Sequence, residues 1–287
     1  MAPECLGLLQ FFHQGGSCQT ENIMRKYNFT KEELEEKYLE LKTVTRVAEH
    51  FAIPLTSMCL QFKKLNVIHS RFPAKSAFNE DFFEINSPES FYLAGFIAAD
   101  GNVDKNLSRI TIALAEKDIN FLEDIKKLIC CNAKLSKHID YGSKRNPLYK
   151  DTVNYFLRFS SKKMVEDLQK WNIIPNKTKT YDFPECAMTN DLVSHYMRGY
   201  FDGDGCLGYS ENQLFFTVVG NLSFLEKYQS ILEKQCGVKH NSIHKDRNIY
   251  VLKYCGNNVV PKICELLYNN STFHLDRKYN IYKSLIK

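Results

Sequence analysis

No apolar run in the sequence approaches the roughly 20 residues that a membrane-spanning helix needs, and the start, MAPECLGLLQFFHQ, lacks a basic segment followed by a long apolar one. These absences exclude a helical membrane protein and a secretion signal, so a soluble, intracellular chain with no membrane partner is expected. Cys-x-x-Cys pairs are also missing. The ten cysteines are scattered singly apart from Cys130-Cys131, which excludes a disulfide frame or a zinc ribbon and leaves them as reduced core filler. Cys236, His240 and His244 fall at a suggestive spacing of four, but Gly237 and Val238 mark a loop entering a strand, so no metal cluster is expected there. The compositional bias of a disordered, collagenous or coiled-coil chain is absent as well.

What is present is ordinary globular material: 287 residues, 44% apolar and 25% charged, with a net charge of +5. That charge leans toward a polyanionic partner without demonstrating one. Its local distribution says more. Residues 30–41 (TKEELEEKYLEL) are acidic, whereas from Thr43 to Phe78 five Lys/Arg face the single Glu49. Thr30 with Glu33 three residues on predicts a helix start. A second short helix fits Thr43–Phe51, a break follows at Ala52-Ile53-Pro54, and a third helix fits Leu55–Leu65. Helix, tight turn, helix is the helix-turn-helix pattern, whose last helix lies in the DNA major groove. Leu55, Cys59, Leu60 and Phe62 are expected inward, and Thr56, Ser57, Gln61, Lys63 and Lys64 outward as DNA-binding residues. An ordinary three-helix packing module is the competing reading. The expected organisation is an N-terminal segment (1–29), the helix-turn-helix module (30–68), a linker (69–88) that ends in the helix start Ser87-Pro88, and two further halves, 89–184 and 185–287.

Those halves repeat one another. Phe91-Tyr92-Leu93-Ala94-Gly95-Phe96-Ile97-Ala98-Ala99-Asp100-Gly101 is echoed by His195-Tyr196-Met197-Arg198-Gly199-Tyr200-Phe201-Asp202-Gly203-Asp204-Gly205. Phe121-Leu122-Glu123 answers Phe224-Leu225-Glu226, the strand at Tyr155–Phe159 answers Tyr250–Tyr254, and Lys177 answers Lys278. The offsets are 104, 103, 95 and 101 residues, so a domain-sized unit has been duplicated. Each copy reads helix, strands, helix, strands, terminal helices. The fold class is α+β, with helices on one face of an antiparallel sheet and the other face polar and free.

In each motif small residues stand four apart, Gly95 with Ala99 and Gly199 with Gly203, which lets two such helices pack backbone to backbone. Each motif ends in Asp-Gly, and Gly101 and Gly205 are expected in the left-handed conformation. Side-by-side packing about a pseudo-two-fold axis brings Asp100 and Asp204 together, where a hard divalent cation would relieve their repulsion. This predicts a Mg²⁺ site built from two half-sites.

The two motifs resemble those of the LAGLIDADG homing endonucleases in the monomeric, two-repeat form, over residues 89–285. The resemblance implies two αββαββα halves whose strands form a saddle on double-stranded DNA. It also implies cleavage of both strands at a long recognition site, as in intron homing, using two or three Mg²⁺ ions shared between the halves. No obligate protein partner is implied, because one chain supplies both halves. Asp100 and Asp204 would then be catalytic and metal-binding, with the carbonyls of Ala99 and Gly203 assisting. By position in the repeat, Lys177 and Lys278 would polarise the active-site water or phosphate. Arg158 and Lys253, at matched strand positions, are candidates for DNA contact; simple solvation is the alternative. The first motif has Ala98 where the second has Asp202, a position that resembles a structural or capping one. Two alternatives share the fold: a DNA-binding regulator that has lost cleavage, and an RNA maturase.

Overall fold

A computed structural model describes residues 27–41, 43–67, 77–104, 108–146 and 148–285. Residues 1–26 of the expected N-terminal segment, and 68–76 in and beside the expected linker, lie outside that set. The chain divides into two units, Met1–Lys75 and Ser76–Lys287.

The first unit holds α1 (Lys31–Leu41), α2 (Val44–His50) and α3 (Leu55–Lys64). Thr30 Oγ1 accepts the Glu33 N–H at 3.1 Å and Thr43 Oγ1 accepts the Arg46 N–H at 3.2 Å, so each start has the side-chain acceptor that the sequence supplies. Leu34, Val47, Ala48, Ile53, Met58 and Phe62 form a separate small core. The turn into α3 places Ala52 at φ 52. One expectation fails here. Ser57 and Gln61 are buried, at 6% and 1% exposure, and Leu55 is 44% exposed. The buried face is set by Met58 and Phe62, one turn apart, with Phe62 edge-on to Tyr38. Ser57 and Gln61 share that side, so polarity alone assigned the wrong face. Thr56, Lys63 and Lys64 are exposed as expected.

In the second unit the motif helices are α4 (Pro88–Asp100) and α7 (Val193–Asp204). Two four-stranded antiparallel sheets follow them: β1 (Gly101–Asp104), β2 (Arg109–Ala115), β3 (Ser136–Asp140) and β4 (Thr152–Ser160), then β5 (Gly205–Ser210), β6 (Gln213–Gly220), β7 (His244–Asp246) and β8 (Ile249–Cys255). Their orders, β1-β2-β4-β3 and β5-β6-β8-β7, are identical in topology. Helices α5 (Ile119–Leu128), α6 (Lys162–Gln169), α8 (Leu222–Cys236), α9 (Val260–Tyr268) and α10 (Asp276–Leu285) complete the halves. Strand alternation drives one face of each sheet inward: Ile110, Ile112, Leu157 and Phe159 in the first, Phe216, Val218, Leu252 and Tyr254 in the second. A single core runs through both halves. Phe82 and Phe83, within the expected linker, belong to it at 7% and 4% exposure, so the end of that stretch packs on the second unit.

Ser87 caps α4 reciprocally with Ser90, and Pro88 occupies the first turn, where its missing N–H costs nothing. The two motif helices touch through their main chains. A Cβ on Gly95 would overlap the Tyr196 carbonyl oxygen, and one on Gly199 would overlap that of Tyr92. These reciprocal contacts relate residues 92, 95 and 96 to 196, 199 and 200, which is the pseudo-two-fold relation written in the repeat offset. Gly101 and Gly205 depart from expectation, with φ −86 and −104, extended rather than left-handed. Each begins a strand directly from its helix. Glycine is required because a Cβ would stand 2.6 Å from Ile97 Cγ2 at Gly101 and would overlap the Phe201 ring at Gly205.

Candidate active site

The last residues of α4 and α7 carry the two acids. Gly203 faces Ala99, and a Cβ on Gly203 would lie 2.5 Å from the Ala99 Cβ and 3.4 Å from Asp100 Oδ2. Asp100 therefore reaches across the helix interface to within a side chain's width of the residue preceding Asp204. Asp100 keeps contact with solvent and Asp204 is half-buried, yet protein surrounds most of each carboxyl. Burial raises the pKa of both. Asp204 is pushed up to about 6 by burial and by the charge of Asp100, against the pull of Lys177 and Lys278. At Asp100 burial is opposed by Lys278, Arg277 and Lys177.

The two lysines arrive from the chain after each half's last sheet strand. Lys177 follows Asn176, which turns the backbone at φ 60, and its Nζ donates to the Gly101 carbonyl at 2.6 Å. Lys278, in the first turn of α10, donates to the carbonyls of Phe201 and of Asp202, the latter at 3.0 Å. Their exposures are 9% and 1%. Each cation thus caps the carbonyl end of the motif helix in its own half, where the helix dipole is negative. Desolvation lowers both ammonium pKa values, that of Lys278 to about 8, while Asp204 and Asp100 oppose it at Lys177, and Asp202 and Asp100 oppose it at Lys278. Asp100, Asp204, Lys177 and Lys278 are therefore brought together in one electrostatic cluster.

Asp202 has a different task. It is fully buried, and its Oδ1 accepts Tyr268 Oη–H at 2.6 Å while Oδ2 accepts Tyr92 Oη–H at 2.7 Å and the Leu275 N–H at 2.8 Å. One turn earlier lies Arg198, 1% exposed, donating to the carbonyls of Leu267 at 2.9 Å and Phe273 at 3.2 Å. The equivalent residues in α4 are Ala94 and Ala98. There Tyr196, the partner of Tyr92 by the repeat, bonds Tyr181 Oη instead, and Tyr181 Oη donates to the Trp171 carbonyl at 3.1 Å. A tyrosine pair takes the place of the carboxylate hub, so the change at Ala98 leaves the outward acids untouched.

The Arg198–Asp202 hub as a whole went unforeseen, as did Arg277, whose Nε stands 3.3 Å from Asp118 Oδ2 and whose charge lowers the Asp100 pKa. An arginine within a motif whose copy has alanine was the available signal for the hub. Arg277 had none beyond standing beside Lys278.

The strand lysine and arginine are equivalent by register. Arg158 pairs with Thr111 and Lys253 with Thr217, each on the sheet face away from the core, and both are exposed. Arg158 lies 4.2 Å over the Phe156 ring and donates to Ser136 Oγ at 2.6 Å. Cys236 donates to the Lys262 carbonyl and His240 pairs with Glu233, and among the described residues no group of three His, Cys, Asp or Glu side chains is placed to hold a metal.

Hard oxygens from Asp100 and Asp204 fit Mg²⁺, which retains several waters and commonly takes only one or two carboxylates plus substrate phosphate.

No family model matches the sequence, and no curated protein sequence matches it. Solved structures do match its fold. The homing endonuclease I-WcaI bound to its DNA recognition sequence is similar over 71% of this chain and 91% of its own, at 14% identity and a TM-score of 0.50. The LAGLIDADG meganuclease I-AabMI bound to uncleaved DNA matches 70% of this chain and 88% of its own, at 14% identity and a TM-score of 0.42. Full-length DUF199/WhiA from Thermatoga maritima matches 72% of this chain at 15% identity and a TM-score of 0.46, and this chain covers 64% of its length. The fold is LAGLIDADG-like, with two sheets of identical order and paired motif helices. Among the described residues no helix is long and apolar enough to cross a membrane.

Proposed function

We propose that the chain is a site-specific endonuclease that hydrolyses both strands of duplex DNA with Mg²⁺. The observation that carries this reading is the pairing of Asp100 and Asp204 at the ends of helices in main-chain contact, with a buried lysine at each end. Asp100 and Asp204, assisted by the Ala99 and Gly203 carbonyls, would hold the ions. Bound Mg²⁺ supplies activation of water and neutralisation of the phosphodiester. Lys177 and Lys278 fix the helix termini and hold positive charge beside the acids, lowering the cost of two carboxylates in one place. Lys278, with its pKa near 8, also has a proton to exchange at neutral pH. Arg158 and Lys253 on the sheets, and Thr56, Lys63 and Lys64 on α3, are the proposed DNA contacts; Ser57 and Gln61, being buried, are withdrawn from that role. One chain supplies both acids, so a monomer suffices.

The test is cleavage of a randomised duplex library by the purified protein with Mg²⁺, followed by Asp100→Asn and Asp204→Asn on a selected site. Binding is expected to persist in both variants while cleavage falls by at least about 100-fold, the scale of losing a charge-stabilising group. Undiminished cleavage in both variants would remove the shared-metal reading. Sequence-specific binding with no cleavage by the parent protein would leave the regulator instead, and selective binding of RNA over duplex DNA would favour the maturase.

A further inference from the structure

Helices α5 and α8 start from residues that the repeat makes equivalent, Asp118 and Asn221, which stand three places before Phe121 and Phe224. Aspartate and asparagine at such a position ordinarily accept main-chain N–H groups of the first helical turn. Neither side chain does so here. Asp118 Oδ2 instead accepts Arg277 Nε–H at 3.3 Å, and Asn221 Nδ2 donates to the Tyr181 carbonyl at 2.8 Å. Each contact crosses from one half to the other, and each lands on the segment that carries a buried lysine. Arg277 adjoins Lys278, and the Tyr181 N–H donates to the Lys177 carbonyl at 2.7 Å.

The lysine ammonium groups are held by carbonyls at the ends of the motif helices, Gly101 for Lys177, and Phe201 and Asp202 for Lys278. Those bonds fix the head of each side chain and leave its root unplaced, because a flexible four-carbon stem reaches one point from several origins. The root is placed by whatever anchors its segment, and there the crossed contacts act. They differ in kind. Asp118 and Arg277 form an ion pair, with the carboxylate 10% and the arginine 44% exposed. The Asn221 contact is a neutral amide–carbonyl bond, and beside it Lys227 of α8 pairs with Asp182 at 2.6 Å, a second tie on the same segment.

We propose that Asp118 and Asn221 are positioning residues that act across the halves, Asp118 on Lys278 through Arg277 and Asn221 on Lys177 through Tyr181, so that neither lysine is placed by its own half alone. The proposal rests on the duplex-cleavage reading above, and the experiment separates the two. Single-turnover cleavage of a selected duplex is followed with saturating protein and Mg²⁺, each DNA strand labelled in turn, and binding is measured in Ca²⁺. Asp118→Ala is expected to slow cleavage about 10- to 100-fold, the scale of a displaced reacting group, with little change in duplex affinity. It slows the two DNA strands in the same ratio as Lys278→Ala does, and adds no further loss in the Lys278→Ala protein, whereas its loss multiplies with that of Lys177→Ala. Asp118→Asn keeps an acceptor for Arg277 and retains most of the rate. Asn221→Asp keeps the shape without a proton for the Tyr181 carbonyl; it follows Lys177→Ala in the same way, with a smaller loss because Lys227 and Asp182 remain paired. Arg277→Met carries the same test should Asp118→Ala not fold. Losses that multiply with Lys278→Ala, a strand ratio unlike that of Lys278→Ala, or a loss in Asp118→Asn as large as in Asp118→Ala would overturn the proposal and leave the crossed contacts as ties between halves. Parent protein that cleaves neither DNA strand, or cleavage untouched by both lysine variants, would count against the duplex-cleavage reading itself.

Discussion

Replacing Asp202 by alanine tests whether the second motif's inner acid is a structural hub. The side chain is fully buried and accepts three hydrogen bonds, from Tyr92, Tyr268 and Leu275. Its loss strands two hydroxyls and one main-chain N–H, and leaves Arg198 buried with only carbonyl partners and the Tyr92 ring, 5.0 Å away. Leaving a buried donor unpaired costs about 1–3 kcal/mol, so the three stranded donors together are expected to cost about 3–5 kcal/mol. The double variant Arg198→Ala/Asp202→Ala recreates the Ala94/Ala98 pairing of the first motif and removes the stranded cation. It is expected to cost at least about 1 kcal/mol less than the sum of the single variants, the scale of coupling between members of one network. The assay is urea unfolding followed by the fluorescence of Trp171. That is the chain's one tryptophan, 4% exposed and packed on Phe91 and Tyr196, so it reports on the second unit. With a slope of about 3 kcal/mol per molar, the midpoint of Asp202→Ala falls by about 1–1.7 M. A shift below about 0.3 M, or strict additivity in the double variant, would refute the hub.

Two further outcomes follow from the same physics. Among the described residues His195 Nδ1 is buried with no hydrogen-bond partner, and burial, aided by Arg198, lowers the pKa of the ring to about 4. The folded chain therefore holds it neutral while the unfolded chain takes a proton near pH 6.5, so stability from this group is full above pH 6.5 and is lost as pH falls toward 4. Urea midpoints are expected to show about 1–2 kcal/mol less loss over that window in His195→Gln than in the parent, after allowance for partial exposure. Lys63→Ala and Lys64→Ala are each expected to weaken DNA binding across sequences and to reduce the salt slope by about 1, measured by fluorescence anisotropy at several salt concentrations. Unchanged slopes in both would make the first unit a packing module.

The strongest signal in the sequence was duplication. Offsets of 95 to 104 residues in helix, strand and lysine pointed to two homologous halves, and the glycine-alanine spacing predicted a main-chain helix contact that the structure contains at Gly95 and Gly199. Local chemistry was legible at Thr30 and Ser87, where one side-chain oxygen decides where a helix begins. Burial was less so. Ser57 and Gln61 are polar yet inward, because the orientation of α3 follows from Met58 and Phe62 seating in the small core. Gly101 and Gly205 were misread because their need for a missing Cβ comes from Ile97 and Phe201, and no turn is involved. The reach of Lys177 and Lys278 to helix ends 76 residues or more away is a tertiary fact that spacing alone cannot specify.

The contact at Gly95 and Gly199 has a consequence for how such a molecule can diverge. Because the helices meet through carbonyls and α-carbons, the separation of the two acids is gauged by peptide geometry, which every sequence shares. Outward strand residues take no part in that contact. A lineage built on it can change its strand faces while the interval between its two acids stays constant, much as a printing press keeps its frame while the type is reset.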